Sequence, residues 1–186
     1  MKFLTLTFSI PVLIGSFTSL KVLKLSSNNL DSLPDEIGQL TNLHSLDVRN
    51  NDLLKSKFLL KSLWKYLVPD SLSNLYALRI LVLGKNQIQE FPKKWFQSSS
   101  TNSEGSQKDK EKDLTPEKNV PFQSLHDLVI SENQISSLPS NFFDVISKLS
   151  SFNLTYNKIK ELPSSIENAT SLSNLEIVIF HFPIFH

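Results

Sequence analysis

One spacing governs this sequence. From Leu20 the chain reads Leu20-x-x-Leu23-x-Leu25-x-x-Asn28-x-Leu30-x-x-Leu33-Pro34, and 23 residues on it reads Leu43-x-x-Leu46-x-Val48-x-x-Asn51-x-Leu53. The pattern returns from Leu78 (Leu81, Leu83, Asn86, Ile88, Phe91-Pro92), from Leu125 (Leu128, Ile130, Asn133, Ile135, Leu138-Pro139) and from Leu149 (Phe152, Leu154, Asn157, Ile159, Leu162-Pro163). Asn occupies 15 of the 186 positions. Chance alignment of all five asparagines is therefore on the order of one in several hundred thousand. Leu172-x-x-Leu175-x-Ile177 starts a sixth copy, with Phe180 where asparagine would stand. Upstream, Pro11, Ile14 and Phe17 repeat the spacing of Pro34, Ile37 and Leu40, so the chain opens inside a further, half-present copy. A unit this short cannot bury its own apolar side, whereas stacked units bury a continuous one.

Each conserved-in-phase position has a physical role. Alternating Leu-x-Leu predicts a short strand with its apolar side inward. The asparagine leaves that strand through a tight turn, where its amide can bond backbone groups that have lost ladder partners. Asn28, Asn51, Asn86, Asn133 and Asn157 are thus structural candidates. Pro34, Pro92, Pro139 and Pro163 fix φ and begin a return segment. The apolar residues three and six positions later (Ile37 and Leu40, Leu72 and Leu75) point one side of a helical turn at the same core.

Over nearly its whole length the chain resembles the leucine-rich repeat family. The stretch Leu33-Pro34-x-x-Ile37-x-x-Leu40-x-x-Leu43 is similar to the 23-residue intracellular class found in Ras-binding scaffolds, Ras suppressor proteins and the Scribble/Erbin group. The resemblance implies an α/β fold: a curved leucine-rich repeat solenoid of about five to six repeats over residues 1–186, with a parallel sheet on its concave side. It implies no single activity. The partner class it implies is a small GTPase or a phosphatase/kinase signalling complex.

Composition narrows the chemistry. There are 31 Leu, only 4 Gly and no Cys, and the formal net charge is +1. Few glycines argue against phosphate-cradling loops and dinucleotide turns. Zero Cys removes disulfides, cysteine zinc sites and thiol nucleophiles. It also argues for an intracellular, cytoplasmic protein, since extracellular members of the family usually carry disulfide-bonded caps. The near-zero charge gives no nucleic-acid footprint. No zinc-protease, hydrolase-elbow or phosphate-loop motif occurs. His44 and His126 share one repeat position, beside Ser45 and Asp127, and nothing completes a triad. His181 and His186 offer at most incidental metal ligation. The sequons at Asn153 and Asn168 are no more than chance supplies. The expectation is therefore a non-enzymatic protein with no catalytic residue, cofactor or metal.

Two insertions break the period. Residues 54–68 contain KSKFLLKSLWKYLV, a basic amphipathic segment with Phe58, Leu63, Trp64 and Leu67 on one rough stripe. It reads either as an enlarged helix packed on the convex side or as a helix for a membrane surface or partner groove. Residues 97–120 lack aromatics, are rich in Ser, Lys, Asp and Glu, and predict a disordered loop. That loop is either passive padding or a phosphorylation target at Thr115 or Ser98 to Ser100. At the start, MKFLTLTFSIPVLIG could be a secretory signal, but Pro11, Ile14 and Phe17 keep the repeat spacing, which a cleaved signal has no reason to do. No apolar run reaches the ~18 residues needed to span a bilayer. The apolar tail EIVIFHFPIFH, with no polar cap, suggests a piece of a longer solenoid.

Function must then come from surface. The variable strand positions should project from the concave sheet: Lys24 and Ser26; Asp47 and Arg49; Ile80 and Val82; Asp127 and Val129; Asn153 and Thr155. The middle column runs Lys24, Asp47, Val82, Val129, Asn153, Glu176, which places an apolar patch between charged and polar flanks. Such a patch is how protein-binding surfaces tend to be built, with Lys24, Asp47 and Arg49 setting orientation and salt dependence. The leading expectation is a scaffold module that binds another protein in intracellular signalling. The alternatives are the repeat region of a larger signalling enzyme, of kinase or cyclase type, and a secreted or surface recognition protein.

Overall fold

The computed structural model describes residues 8–51, 68–97 and 121–178. Residues 54–67 and 98–120, and with them the expectations of a basic helix and a disordered loop, lie outside the described residues, as does the tail beyond Val178. Within them the strands are β1 (Phe8–Ser9), β2 (Val22–Lys24), β3 (Leu30–Ser32), β4 (Ser45–Asp47), β5 (Ile80–Val82), β6 (Asp127–Val129), β7 (Ser151–Asn153) and β8 (Asn174–Glu176). Six of these form one parallel sheet in the order β2-β4-β5-β6-β7-β8, and β1 pairs with β3 apart from it.

The register follows the repeat. Leu23, Leu46, Leu81, Leu128, Phe152 and Leu175 are successive partners across the six strands. Their side chains form an inner row that is fully buried from Leu46 to Phe152. The pairing stays in phase where sequence separation is largest, at Ser45–Ile80 and Ile80–Asp127. Strand positions are therefore set by the apolar pattern and not by chain distance.

Opposite the sheet the chain returns through short helical turns. Pro11, Pro34, Pro69, Pro92 and Pro163 each precede a 3-10 turn, at φ between −56° and −72°. That range is what a proline ring imposes. Ile37, Leu40, Leu72 and Leu75 are completely buried beneath these turns, as their spacing predicts. After Pro139 the turn is instead α-helical, α1 (Phe142–Val145).

Two glycines set how closely the turns stack. A Cβ on Gly15 would lie 2.9 Å from the Glu36 carbonyl oxygen, and one on Gly38 would lie 2.5 Å from that of Ser71. Neither glycine has an unusual backbone angle. They serve close approach between neighbouring turns.

An aromatic cluster replaces leucine in the middle of the core. Phe142 stacks on Phe152 and Phe96, at ring separations of 5.2 and 5.4 Å, and meets Phe91 at 5.4 Å. Trp95 meets Phe122 edge to face at 4.8 Å and donates its indole N–H to the Pro69 carbonyl at 3.3 Å. These rings come from both sides of residues 98–120, so large apolar area joins the third repeat to the fourth.

Candidate functional site: the concave face

The asparagines build the turn that ends each strand. Asn51 donates through Nδ2 to the carbonyls of Val48 in its own repeat (2.8 Å) and Leu25 in the one before (2.9 Å). Its Oδ1 accepts the N–H groups of Asn28 and Leu30, both at 3.0 Å. Asn133 repeats the arrangement with Ile130, Leu83 and the N–H of Ile88, and Asn157 with Leu154, Ile130 and the N–H of Ile135. Asn86 donates to Leu83 and Val48. All four are buried. Asn28 departs from the pattern: it is exposed, and its amide donates only to the nearby Ser26 carbonyl among the bonds seen.

The residue before each asparagine carries a feature that the repeat pattern hides. Ser27, Asn50, Lys85, Glu132 and Tyr156 all adopt φ between 53° and 60°. A left-handed residue is what turns the chain out of the strand, and no glycine is used for it. The varied identities at this position concealed it; only a turn argument, not a composition argument, could have located it.

The expected face residues fall into two strand rows plus one beyond the strand ends. Val22, Ser45, Ile80, Asp127, Ser151 and Asn174 are partners in one row, and Lys24, Asp47, Val82, Val129, Asn153 and Glu176 in the other. The ladder continues past the strands: the N–H of Ser27 donates to Arg49, that of Asn50 to Gly84, that of Lys85 to Ser131 and that of Glu132 to Thr155. Ser26, Arg49, Gly84, Ser131 and Thr155 thus form the third row.

At the centre, Ile80 is 39% exposed, and Val82 and Val129 are half-buried neighbours on β5 and β6. Gly84 beside them presents no side chain, and a Cβ there would press on Ser131 Oγ at 3.2 Å. The face therefore presents backbone, not a side chain, at that point of its middle.

The polar flanks are tied up within the chain. Asp47 was expected as an open charge, but it is only 6% exposed. Its carboxylate accepts from the Arg49 backbone N–H at 3.1 Å and from the guanidinium at 2.9 and 2.7 Å. The Arg49 side chain remains 58% exposed. Across the centre, Asn153 mirrors Asp47: its Oδ1 accepts the Thr155 N–H at 3.1 Å and hydroxyl at 2.8 Å, while its amide donates to Glu176. Asp127 is half-buried and Lys24 is exposed.

Sequence reasoning missed a further row, at the foot of the strands. Lys21, His44, Arg79 and His126 stand on consecutive rungs, each carbonyl accepting the N–H of the next. Reading the position after each first leucine would have found it. Of the two histidines, each ring places Nδ1 2.6 Å from a carbonyl two residues back, Asn42 for His44 and Ser124 for His126. Among the described residues, no hydrogen bond joins either ring to a carboxylate or a hydroxyl. No group of three or more acidic, His or Cys side chains suited to a metal occurs among the described residues. No helix there is long and apolar enough to cross a membrane.

This geometry is that of a leucine-rich repeat solenoid. The Leucine Rich Repeat family model matches residues 19–40. No curated protein sequence matches the chain. Among solved structures, the leucine-rich repeat protein LIC12759 of Leptospira interrogans superposes with a TM-score of 0.69 at 24% identity, over 95% of this chain and 36% of that one. The plant peptide hormone receptor RGFR1, solved in complex with RGF2, gives 0.64 at 20% identity over 91% and 22%. The LRIM1/APL1C complex gives 0.64 at 18% over 92% and 27%. The chain thus spans little more than a third, or less, of these three structures, and the likeness is one of fold.

Proposed function

We propose that this chain is a non-enzymatic protein-binding module whose concave face holds another protein. The observation that carries the reading is the pairing of Val82 with Val129 beside Ile80, on strands whose polar neighbours already bond within the chain. Covering an apolar strip flanked by satisfied polar groups gains hydrophobic area with little loss of hydration. Arg49 keeps exposed donors at one side of that strip, which suits a partner carboxylate. Two of the structural neighbours were solved as complexes with another polypeptide, which supports the same use of the fold. With the spacing of the intracellular repeat class and the absence of Cys, the finer reading is a cytoplasmic signalling scaffold. Its partner class is a small GTPase or a phosphatase/kinase complex.

Affinity capture from a cytosolic lysate, comparing the wild type with Val82→Glu, tests this. A protein retained by the wild type and lost with Val82→Glu, at a melting temperature within about 3 °C of wild type, supports the concave reading. An identical captured set removes this face from consideration.

A further inference from the structure

The row at the foot of the strands has a chemistry of its own. Lys21 accepts the N–H of His44 at 2.8 Å, His44 that of Arg79 at 2.9 Å, and Arg79 that of His126 at 2.9 Å. Neighbouring strands stand about 4.8 Å apart, so four cationic or cation-forming side chains cover roughly 15 Å of the sheet's edge. That is the reach of four or five extended residues. Lys21, Arg79 and His126 are exposed and His44 is half-buried. Exposed Val22 and Ile80 follow Lys21 and Arg79 in the next row, so charge and apolar surface alternate.

The histidines are held in one tautomer. A carbonyl oxygen can only accept, so Nδ1 of His44 and of His126 carries the proton that bonds to Asn42 and Ser124. In the neutral ring Nε2 is then an acceptor, unfit to meet a carboxylate. A second proton turns Nε2 into a charged donor while the Nδ1 bond stays in place. The charged groups around the rings are mostly basic. Lys21 and Arg79 occupy the rungs beside His44. Arg79 and Ser150 occupy those beside His126, with Asp127 next in sequence and exposed Lys148 two residues before Ser150. Farther along β2 and β4 stand Lys24 and the internally paired Asp47 and Arg49.

We propose that Lys21, His44, Arg79 and His126 form a docking row for a carboxylate-rich, partly apolar polypeptide segment of the bound partner. This deepens the concave-face reading and rests on it. A nucleic acid fits less well: no Phe, Tyr or Trp stands in this row or in the two strand rows to stack a base.

The test titrates the full chain with a fluorescent peptide of about twelve residues built from Glu, Leu and Ser. The comparison peptide has Gln for Glu, and a labelled single-stranded oligonucleotide serves as a third probe. The Glu peptide should bind at least about tenfold more tightly than the Gln peptide at low salt, and lose that margin as ionic strength rises. The H44Q/H126Q double variant and Arg79→Ala should each weaken binding of the Glu peptide. Equal binding of the two peptides, Glu-peptide binding unchanged in H44Q/H126Q and Arg79→Ala, or an oligonucleotide bound as tightly as the Glu peptide overturns the proposal. Val82-dependent capture of a protein partner alongside no Glu-peptide binding overturns the row and leaves the concave reading standing.

Discussion

Arg49 closes over Asp47, its Nε at 2.9 Å and a terminal guanidinium nitrogen at 2.7 Å from the same carboxylate oxygen. The carboxylate is buried while the guanidinium stays largely in solvent. Removing the acid strands the Arg49 backbone N–H as well as the cation. Asp47→Ala should therefore lower stability by about 1–3 kcal/mol, read by urea denaturation. Asp47→Asn, which keeps an acceptor for the N–H, should cost less. An Ala variant as stable as wild type would mean that the pair contributes nothing to the fold.

The asparagine turns should differ by position. Asn133→Ala removes a buried group that bonds four backbone atoms in two repeats, and about 2–4 kcal/mol should be lost, since each orphaned buried partner is costly. Asn28→Ala, at an exposed site, should cost under about 1 kcal/mol by the same reasoning. Thermal melts of the two variants side by side check the ordering.

Gly38 and Gly84 make a second contrast. At Gly38 a methyl group would meet the Ser71 backbone at 2.5 Å, whereas at Gly84 the nearest atom is the rotatable hydroxyl of Ser131. Gly38→Ala should destabilise by about 1–3 kcal/mol as overpacking does, and Gly84→Ala by clearly less. Equal melting temperatures for the two variants would contradict the close stacking of the return turns.

The left-handed row supplies a third. At Lys85 (φ 53°) and Glu132 (φ 54°) a β-branched residue is strained and glycine is not. Lys85→Val should lose about 1–2 kcal/mol, while Lys85→Gly should be near neutral. Chemical denaturation of both variants separates backbone strain from loss of the Lys85–Glu132 ion pair, since each removes that pair equally.

How far the sequence could be read depended on whether a position repeats its identity or only its geometry. The strand leucines, the prolines and the asparagines recur as letters, and the sheet, the 3-10 turns and the turn bonds follow them. The left-handed residue is Ser, Asn, Lys, Glu and Tyr in turn, so nothing in composition marks it. Asp47 reads as a surface charge because its partner stands two residues away, where a strand should point both side chains outward. Only the fold shows the two bonding to each other. The aromatic cluster was equally hidden: Phe91 and Phe152 stand at leucine positions, but Trp95, Phe96, Phe122, Phe142 and Phe143 lie in return segments, where the pattern is loose. The foot-of-strand row was half legible: His44 and His126 share the position after a repeat's first leucine, and carrying that reading to Lys21 and Arg79 completes it.

The ring cluster has a consequence for connectivity. Phe91, Trp95 and Phe96 lie before residues 98–120, while Phe122, Phe142 and Phe152 lie after them. Together with the β5–β6 ladder they join the two parts through surface contact alone. The peptide link between Gln97 and Pro121 is then not what keeps the third and fourth repeats together. A protease nick placed there should yield two polypeptides that still travel as one particle, and the same point is where this solenoid could be split into complementing halves.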